Sequence, residues 1–230
     1  MYLTATCLQT ERLTVFTSHP QPEQSEHYDL EKLTSPDHLR KAILASASQP
    51  VFMTPVKVNL HVAGARYPQH QYVDGGVLQY AGIEMAIDQG AQDILTILLS
   101  PTEEKATEKE FKNLFSILQQ TIGIFTGDVG KNDLIIPLQY NDALLYIDAV
   151  KKKMEQSGLA QEVIENYFQL TGPRNPYEGK IPLHLPILRP EQPLGGGPGG
   201  LDFHPAEMKK MLELGRAVAE RYLQKSSVTS

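Results

Sequence analysis

The chain has 230 residues, which is enough for one large domain with a substantial core. Its 27 acidic side chains outnumber 21 basic ones, and with a formal charge of −6 and no long basic run the chain is not expected to bind nucleic acid. A single cysteine excludes an intramolecular disulfide, and no apolar run is long enough to predict a membrane span.

The N-terminus lacks a basic region followed by an apolar block, so no secretory signal is predicted and we expect a cytoplasmic protein. Cys7 lies in an apolar, β-branched stretch, which is typical of a buried packing residue rather than a nucleophile. The clustered cations Lys151–Lys153 stand beside Glu155 in a helical pattern and predict a solvated helix face.

The chain begins with two predicted strands, Tyr2–Cys7 and Leu13–Thr17, which are followed by a polar loop at 19–31. Ser35 and Pro36 then provide a cap and a first-turn proline for a helix that ends before Pro50. Three residues at helical spacing are expected to form its buried face: Leu39, Ile43 and Ala47.

The next elements are strands at 51–62 and 71–73, joined by a hairpin that contains Gly64 and Pro68. A short helix at 83–89 is expected to end at Gly90, and the apolar run 93–99 predicts a buried parallel strand.

The second half is predicted to be mostly helical over 101–172. Ser100–Glu103 resembles a capping box for a helix with one apolar stripe, which we expect to be core and not a pocket; the stripe is Phe111, Leu114, Phe115, Leu118, Ile122 and Phe125. Helical segments continue through 133–170 with breaks at Gly158 and Gly172. A last edge strand within 181–188, a loop at 190–200 and a C-terminal helix reaching 225 complete the prediction.

Two glycine-rich segments were weighed as anion sites. Gly127–Asn132 lacks the leading glycine and the Ser or Thr of a phosphate loop, so a turn before a helix is predicted. Gly195–Gly200 could present backbone amides to an anion, but no strand precedes it and no cation adjoins it, which favours a flexible linker. The seven histidines are scattered, and no metal site is expected.

Tyr72-Val73-Asp74-Gly75-Gly76-Val77 is the stretch with the clearest chemical meaning. Glycines accept positive φ and let other atoms approach the backbone, so an Asp before them can project from a strand end into a cleft. Asp74 is therefore a candidate general base or orienting group. The alternative is a β-turn in which Asp74 only caps its own backbone.

Asp74 belongs to an ordered set of segments. These are Ala45-Ser46-Ala47-Ser48-Gln49-Pro50-Val51-Phe52-Met53-Thr54-Pro55-Val56, then Tyr72-Val73-Asp74-Gly75-Gly76, then Ala86-Ile87-Asp88-Gln89-Gly90-Ala91. The set resembles the second half of the patatin-like phospholipase domain. The resemblance is strongest over 1–100 and continues more loosely at Leu188-Arg189-Pro190 and Leu201-Asp202-Phe203.

The resemblance implies an α/β fold with a mixed central sheet flanked by helices. It also implies a lipid acyl hydrolase with a Ser-Asp dyad, no cofactor and a lipid or ester substrate. Peripheral membrane contact is left open, because periodicity does not reveal a small apolar rim. Asp74 matches the family's dyad Asp, and Gly75 and Gly76 match its neighbours. The family commonly continues with Asn and Pro, where this chain has Tyr80 and Gly82, which leaves the local loop geometry open.

The nucleophile of this family sits in Gly-x-Ser-x-Gly, and no Gly-x-Ser occurs in this chain. Ser46 and Ser48 lack the strained turn that a nucleophile needs. We therefore expect residues 1–230 to be the C-terminal part of one patatin-like domain without the nucleophile-bearing strands, inactive alone and prone to associate through an exposed sheet edge.

Two alternatives remain open. The first is a non-catalytic patatin-like remnant that binds lipid or protein. The second is an unrelated α/β binding domain in which Asp74 only caps a turn.

Overall fold

The structure is a computed structural model that describes residues 1–59, 69–102, 108, 110–169, 175–177, 180–195 and 203–228. The predicted hairpin with Gly64 and Pro68, the break at Gly172 and residues 196–200 of the loop at 190–200 lie outside these residues.

The centre of the fold is a five-stranded mixed sheet. Its strands, in chain order, are β1 Tyr2–Cys7, β2 Leu13–Thr17, β3 Tyr28–Lys32, β4 Val56–Asn59 and β5 Gln69–Asp74. Their order across the sheet is β3-β2-β1-β5-β4, with β2 and β3 parallel and every other pair antiparallel. Together with its helices the sheet makes a mixed α/β fold.

The strand β3 lies where the sequence predicted a loop. Tyr28 and Glu31 are buried, and Tyr28 packs with Leu13 and Val15 of β2. Arg12 Nε also donates to Asp29 Oδ1 at 3.0 Å. The loop prediction was wrong over 28–31 because contacts with the neighbouring strand outweigh the polar composition of this segment.

Helix α1, Pro36–Ser46, covers one face of the sheet. It begins as predicted, because Ser35 accepts a hydrogen bond from His38 N and Pro36 stands in the first turn. Its buried residues are His38, Ala42 and Ala45, whereas the predicted core residues Ile43 and Ala47 are exposed. Small alanines on the inner side let the helix approach the sheet closely.

The main core lies between α1 and the sheet. Phe16, Tyr72 and Val58 are fully buried there with Ala42 and Ala45. The rings of Phe16 and Tyr72 meet edge to face with centroids 5.3 Å apart. This cluster fixes β5, the strand that ends at Asp74, against β1 and α1.

The 3₁₀ turn Gly75–Val77 and α2, Ile83–Asp88, follow β5. Gly90 has φ of +81° just after α2, as a C-terminal glycine is expected to have. The predicted buried strand at 93–99 is reduced to β6, Thr96–Ile97, which pairs in parallel with β7, Ile187–Leu188. This two-stranded sheet is separate from the main one.

The run 93–99 alternates in burial, which a strand covered on both faces would not do. Ile94, Thr96 and Leu98 are buried. Three large residues of the same run are exposed: Leu95, Ile97 and Leu99. The prediction of a fully buried strand was therefore wrong, although its parallel pairing was right.

Three helices form the second half: α3 Leu114–Gln156, α4 Gln161–Phe168 and α5 Pro205–Val228. The helix predicted to follow Ser100 does not start there, since Pro101, Thr102 and Phe111 are not helical. The capping box that begins α3 is made instead by Asn113 and Ser116.

Gly127–Asn132, predicted as a turn, lies inside α3. The helical segments on both sides keep these residues helical, although the two glycines have a weak helix propensity. None of the described helices is long and apolar enough to cross a membrane.

Candidate functional site

Asp74 is the last residue of β5, and its backbone is held on both sides. Its N–H donates to Ser48 O at 2.8 Å, and its carbonyl oxygen accepts from Thr6 Oγ1 at 3.1 Å. The residue also pairs with Ala5 in the antiparallel register of β1. A strand end fixed by three neighbours gives the carboxylate a defined position.

The two carboxylate oxygens of Asp74 have different surroundings. Oδ1 accepts a hydrogen bond from Gly76 N at 2.8 Å, which is the backbone cap considered from the sequence. Oδ2 accepts no hydrogen bond from any residue that the structure describes. Within the described part of the chain, Asp74 therefore has a capped Oδ1 and an Oδ2 without a donor.

Glycine is required at position 75 because there is no room for a side chain, and not because the backbone has a positive φ. A Cβ at this position would lie 2.4 Å from Thr4 Oγ1 and 2.8 Å from the Thr4 carbonyl carbon. The positive φ that the sequence suggested for the glycine pair is found at neither Gly75 nor Gly76. Close approach of β1 is the reason that β5 continues into glycine.

Burial raises the pKa of Asp74 above its usual value, and the hydrogen bond from Gly76 N offsets part of this rise. The carboxylate lines a cavity of about 420 Å³, which is within the range of small-molecule sites. The walls are largely apolar and come from the segment after α1, the loop after β5 and the start of α3; they include Pro50, Phe52, Val77, Tyr80, Phe111 and Ile122.

The first turns of α3 are a wall of this cavity, not part of the core. Phe111 and Ile122 line the cavity. The other four members of the predicted core stripe, Leu114, Phe115, Leu118 and Phe125, are exposed. The sequence interpretation of the stripe was wrong, because periodicity identifies one face of a helix but not what that face contacts.

The loop after the glycine pair is fixed to α3. Asp133 Oδ2 accepts hydrogen bonds from the backbone N–H groups of Tyr80 and Ala81. The Tyr80 ring lies against Gly130, where an added Cβ would be 3.1 Å from the ring. Asp133 and Gly130 were not identified from the sequence, since their partners are some 50 residues away.

The two departures from the resembled family have structural explanations. Gly82 adopts φ of +63°, which a proline cannot adopt because its ring holds φ near about −65°. Tyr80 fills the space above Gly130 and lines the cavity beside Asp74. The contacts with Gly130 and Asp133 therefore fix this loop beside the cavity.

Ser48, one of the two serines considered from the sequence, is not placed for attack, and neither is Ser116. Ser48 is fully buried, and its Oγ donates to Thr54 O at 3.1 Å. Ser116 lines the Asp74 cavity, which the sequence did not indicate, but its Oγ donates to Asn113 O at 2.9 Å within the capping box. Among the described residues, no serine hydroxyl donates to Asp74.

Comparisons with known proteins leave the site without an outside assignment. No protein-family model matches the chain, and no curated protein matches it significantly. Within the part of the chain that the structure describes, no three His, Cys, Asp or Glu side chains are grouped as metal ligands.

Because the pKa of Asp74 is raised, the free energy of unfolding is expected to depend on pH. The folded chain holds this proton to higher pH than the unfolded chain does, so the free energy of unfolding falls as pH rises above the ordinary value of 3.8. Asp74→Asn keeps an acceptor for Gly76 N without the charge. Urea unfolding at about pH 3 and about pH 7 should show the variant gaining stability relative to wild type on going to the higher pH.

The matched control for this titration is Asp128→Asn, because Asp128 is exposed on α3. It should follow the wild-type pH dependence. A constant difference between wild type and Asp74→Asn across this range would contradict a desolvated carboxyl at residue 74.

Proposed function

We propose that this chain carries the base of a patatin-like lipid acyl hydrolase, with Asp74 as the general base. The nucleophilic serine and the oxyanion donors would come from sequence outside these 230 residues. Residues 1–230 then form the C-terminal part of a single patatin-like domain. The substrate would be a carboxylic ester of a lipid, hydrolysed without a cofactor.

One observation carries the proposal: the Asp74 carboxylate is half-buried, anchored at a strand end beside a cavity, and its Oδ2 accepts no hydrogen bond from the described residues. A general base needs a raised pKa and an unoccupied acceptor within reach of the proton it removes. Oδ1 keeps the side chain oriented through Gly76 N, while Oδ2 remains available. The largely apolar cavity walls suit an acyl chain more than a polar substrate.

The chemistry follows from this arrangement. A serine Oγ would attack the ester carbonyl carbon as Asp74 Oδ2 takes the hydroxyl proton, and that proton would pass to the departing alkoxide. Water would then release the acid from the acyl-enzyme by the same transfers. Histidine is not needed when the carboxylate itself is basic enough, which is the effect of its burial.

The proposal is tested by extending the chain with the upstream sequence that would supply the nucleophilic serine. The 230-residue chain alone should not hydrolyse p-nitrophenyl butyrate above the buffer rate. The same chain extended by the coding sequence upstream of Met1 should hydrolyse the ester and should be labelled by a fluorophosphonate at a serine in Gly-x-Ser-x-Gly. An upstream reading frame without this motif, or hydrolysis by the short chain that is lost in Ser116→Ala, would contradict it.

A second candidate function is a non-catalytic module that binds lipid or protein. The observation in its favour is the group of large apolar side chains exposed on the first turns of α3. A folded, extended chain that has the serine motif but no hydrolase activity would favour this function. In either case we propose a cytoplasmic location with peripheral membrane contact, and association through the edge strands β3 or β4 as a further property.

A further inference from the structure

The first turns of α3 have a polarity opposite to that of an ordinary surface helix. Such a helix normally turns its apolar side inward and its polar side to water. Here the side chains that line the Asp74 cavity are mostly small or polar: Ser116, Gln119, Gln120, Gly123 and Thr126, with Ile122 as the apolar exception. Each residue adds about 100° around the axis, so these six occupy one side of the helix.

The opposite side of the same turns is apolar and faces away from the cavity. Its residues are all exposed: Leu114, Ile117, Leu118, Ile124 and Phe125. Leu114 is 82% exposed and Phe125 is 67% exposed. We call these five residues the outer face of α3. Phe115 belongs to the cavity side, because its ring lies edge to face on that of the cavity-lining Phe52, with centroids 5.4 Å apart. Contiguous apolar groups of this kind on a surface mark a contact with a membrane or another molecule.

The absence of charged residues from the first turns of α3 limits the kinds of surface that the outer face can bind. No residue from 113 to 127 is charged, whereas the whole chain has a formal charge of −6. Helices that bind anionic membranes have Lys and Arg on their polar side, and the segment 113–127 has neither, since the lysines of α3 lie further along the helix. An uncharged segment on an acidic chain fits a lipid surface without net charge.

The outer face and the candidate site lie on opposite sides of the same helical turns. The same turns of α3 have one side on the Asp74 cavity and the other on the outer face. A lipid surface seated on the outer face would therefore lie about one helix diameter, roughly 10 Å, from the Asp74 cavity.

We propose that the outer face of α3 docks the chain on an uncharged, zwitterionic lipid surface. This inference takes its choice of lipid from the proposed hydrolase function, but the docking itself requires no catalysis. The helix would lie in the plane of the lipid surface with Leu114 and Phe125 in the acyl region.

The test uses the absence of tryptophan from the chain. Phe125→Trp in the full 230-residue chain provides one fluorescent probe on the outer face. Leu212→Trp on α5 is the matched control, because Leu212 is 66% exposed and lies outside α3. Each protein is mixed with phosphatidylcholine vesicles, and then with vesicles that contain brominated phosphatidylcholine as a depth-sensitive quencher. Circular dichroism verifies that both variants are folded.

The Phe125→Trp emission should shift to the blue with phosphatidylcholine and should be quenched by the brominated lipid, while Leu212→Trp should show neither change. The double variant Leu114→Gln with Ile124→Gln, made in the Phe125→Trp protein, should lower the vesicle partition coefficient at least about tenfold, since two apolar side chains no longer enter the lipid. Vesicles with phosphatidylglycerol should bind no better than phosphatidylcholine alone.

Three results would overturn the proposal. The first is an unchanged Phe125→Trp spectrum with vesicles, and the second is equal quenching of both probes. The third is a blue shift that depends on protein concentration and not on lipid, with a dimer in sedimentation velocity; it would assign the outer face to a second copy. Because vesicle binding requires no turnover, failure of the hydrolase proposal would leave this result unaffected.

Discussion

Gly75→Ala is expected to lower the free energy of unfolding by about 3 kcal/mol, the upper part of the usual range for overpacking. A Cβ at Gly75 would lie 2.4 Å from Thr4 Oγ1 and 2.7 Å from Thr4 Cβ. Rotation of the Thr4 side chain cannot relieve the clash, because the Thr4 backbone carbon is only 2.8 Å away. β1 or the Asp74 turn must move. Urea unfolding followed by circular dichroism measures the loss.

Gly127→Ala is the matched control for this substitution. Gly127 lies in the interior of α3, and a Cβ there meets no atom within 4 Å. The variant should gain about 0.5–1 kcal/mol, because alanine favours a helix over glycine by this amount. Equal effects of the two substitutions would contradict the close contact between β1 and the glycine pair.

Asp74→Asn is expected to lower kcat/KM for ester hydrolysis by about 10³-fold in the extended chain that contains the serine motif. Asparagine has nearly the same shape and can still accept from Gly76 N, so the turn and the cavity are retained. It cannot take a proton from the serine hydroxyl. The loss should appear in kcat rather than in KM, because the base acts on the transition state and not on substrate binding.

Asp128→Asn in the same extended chain is the control that tests whether the loss of any negative charge would lower the rate. This substitution removes one exposed carboxylate from α3 and should leave kcat/KM within about twofold of wild type. An equal effect of Asp128→Asn would indicate that charge, and not proton transfer at residue 74, controls the rate.

Local signals in the sequence predicted the elements that local chemistry determines. The strands β1 and β2, the Ser35 cap of α1 and the glycine after α2 are all present as predicted. Each depends on neighbours within a few residues. Asp74 at a strand end belongs to the same class, because an apolar run followed by two glycines defines where a strand stops.

Features that depend on distant contacts were predicted less well. The stripe on α3 was assigned to the core, yet most of it is exposed and the opposite side of the helix faces the cavity. The contacts of Asp133 and Gly130 with the Tyr80 loop join residues about 50 positions apart. Spacing along one helix does not specify which neighbour each side will meet.

The resemblance to patatin-like hydrolases rests on the ordered segments around Asp74, and the architecture agrees with it at the level of a mixed α/β fold. A half-buried carboxylate beside a cavity is chemically suited to act as a base, and a rate measurement tests this role.

The most direct test of the central claim is the rate of p-nitrophenyl butyrate hydrolysis by the extended chain, measured for wild type, Asp74→Asn and Asp128→Asn at the same protein concentration. We predict that Asp74→Asn loses about 10³-fold in kcat while it is still folded, and that Asp128→Asn retains wild-type activity. An Asp74→Asn protein that hydrolyses the ester at the wild-type rate would contradict the assignment of Asp74 as the general base.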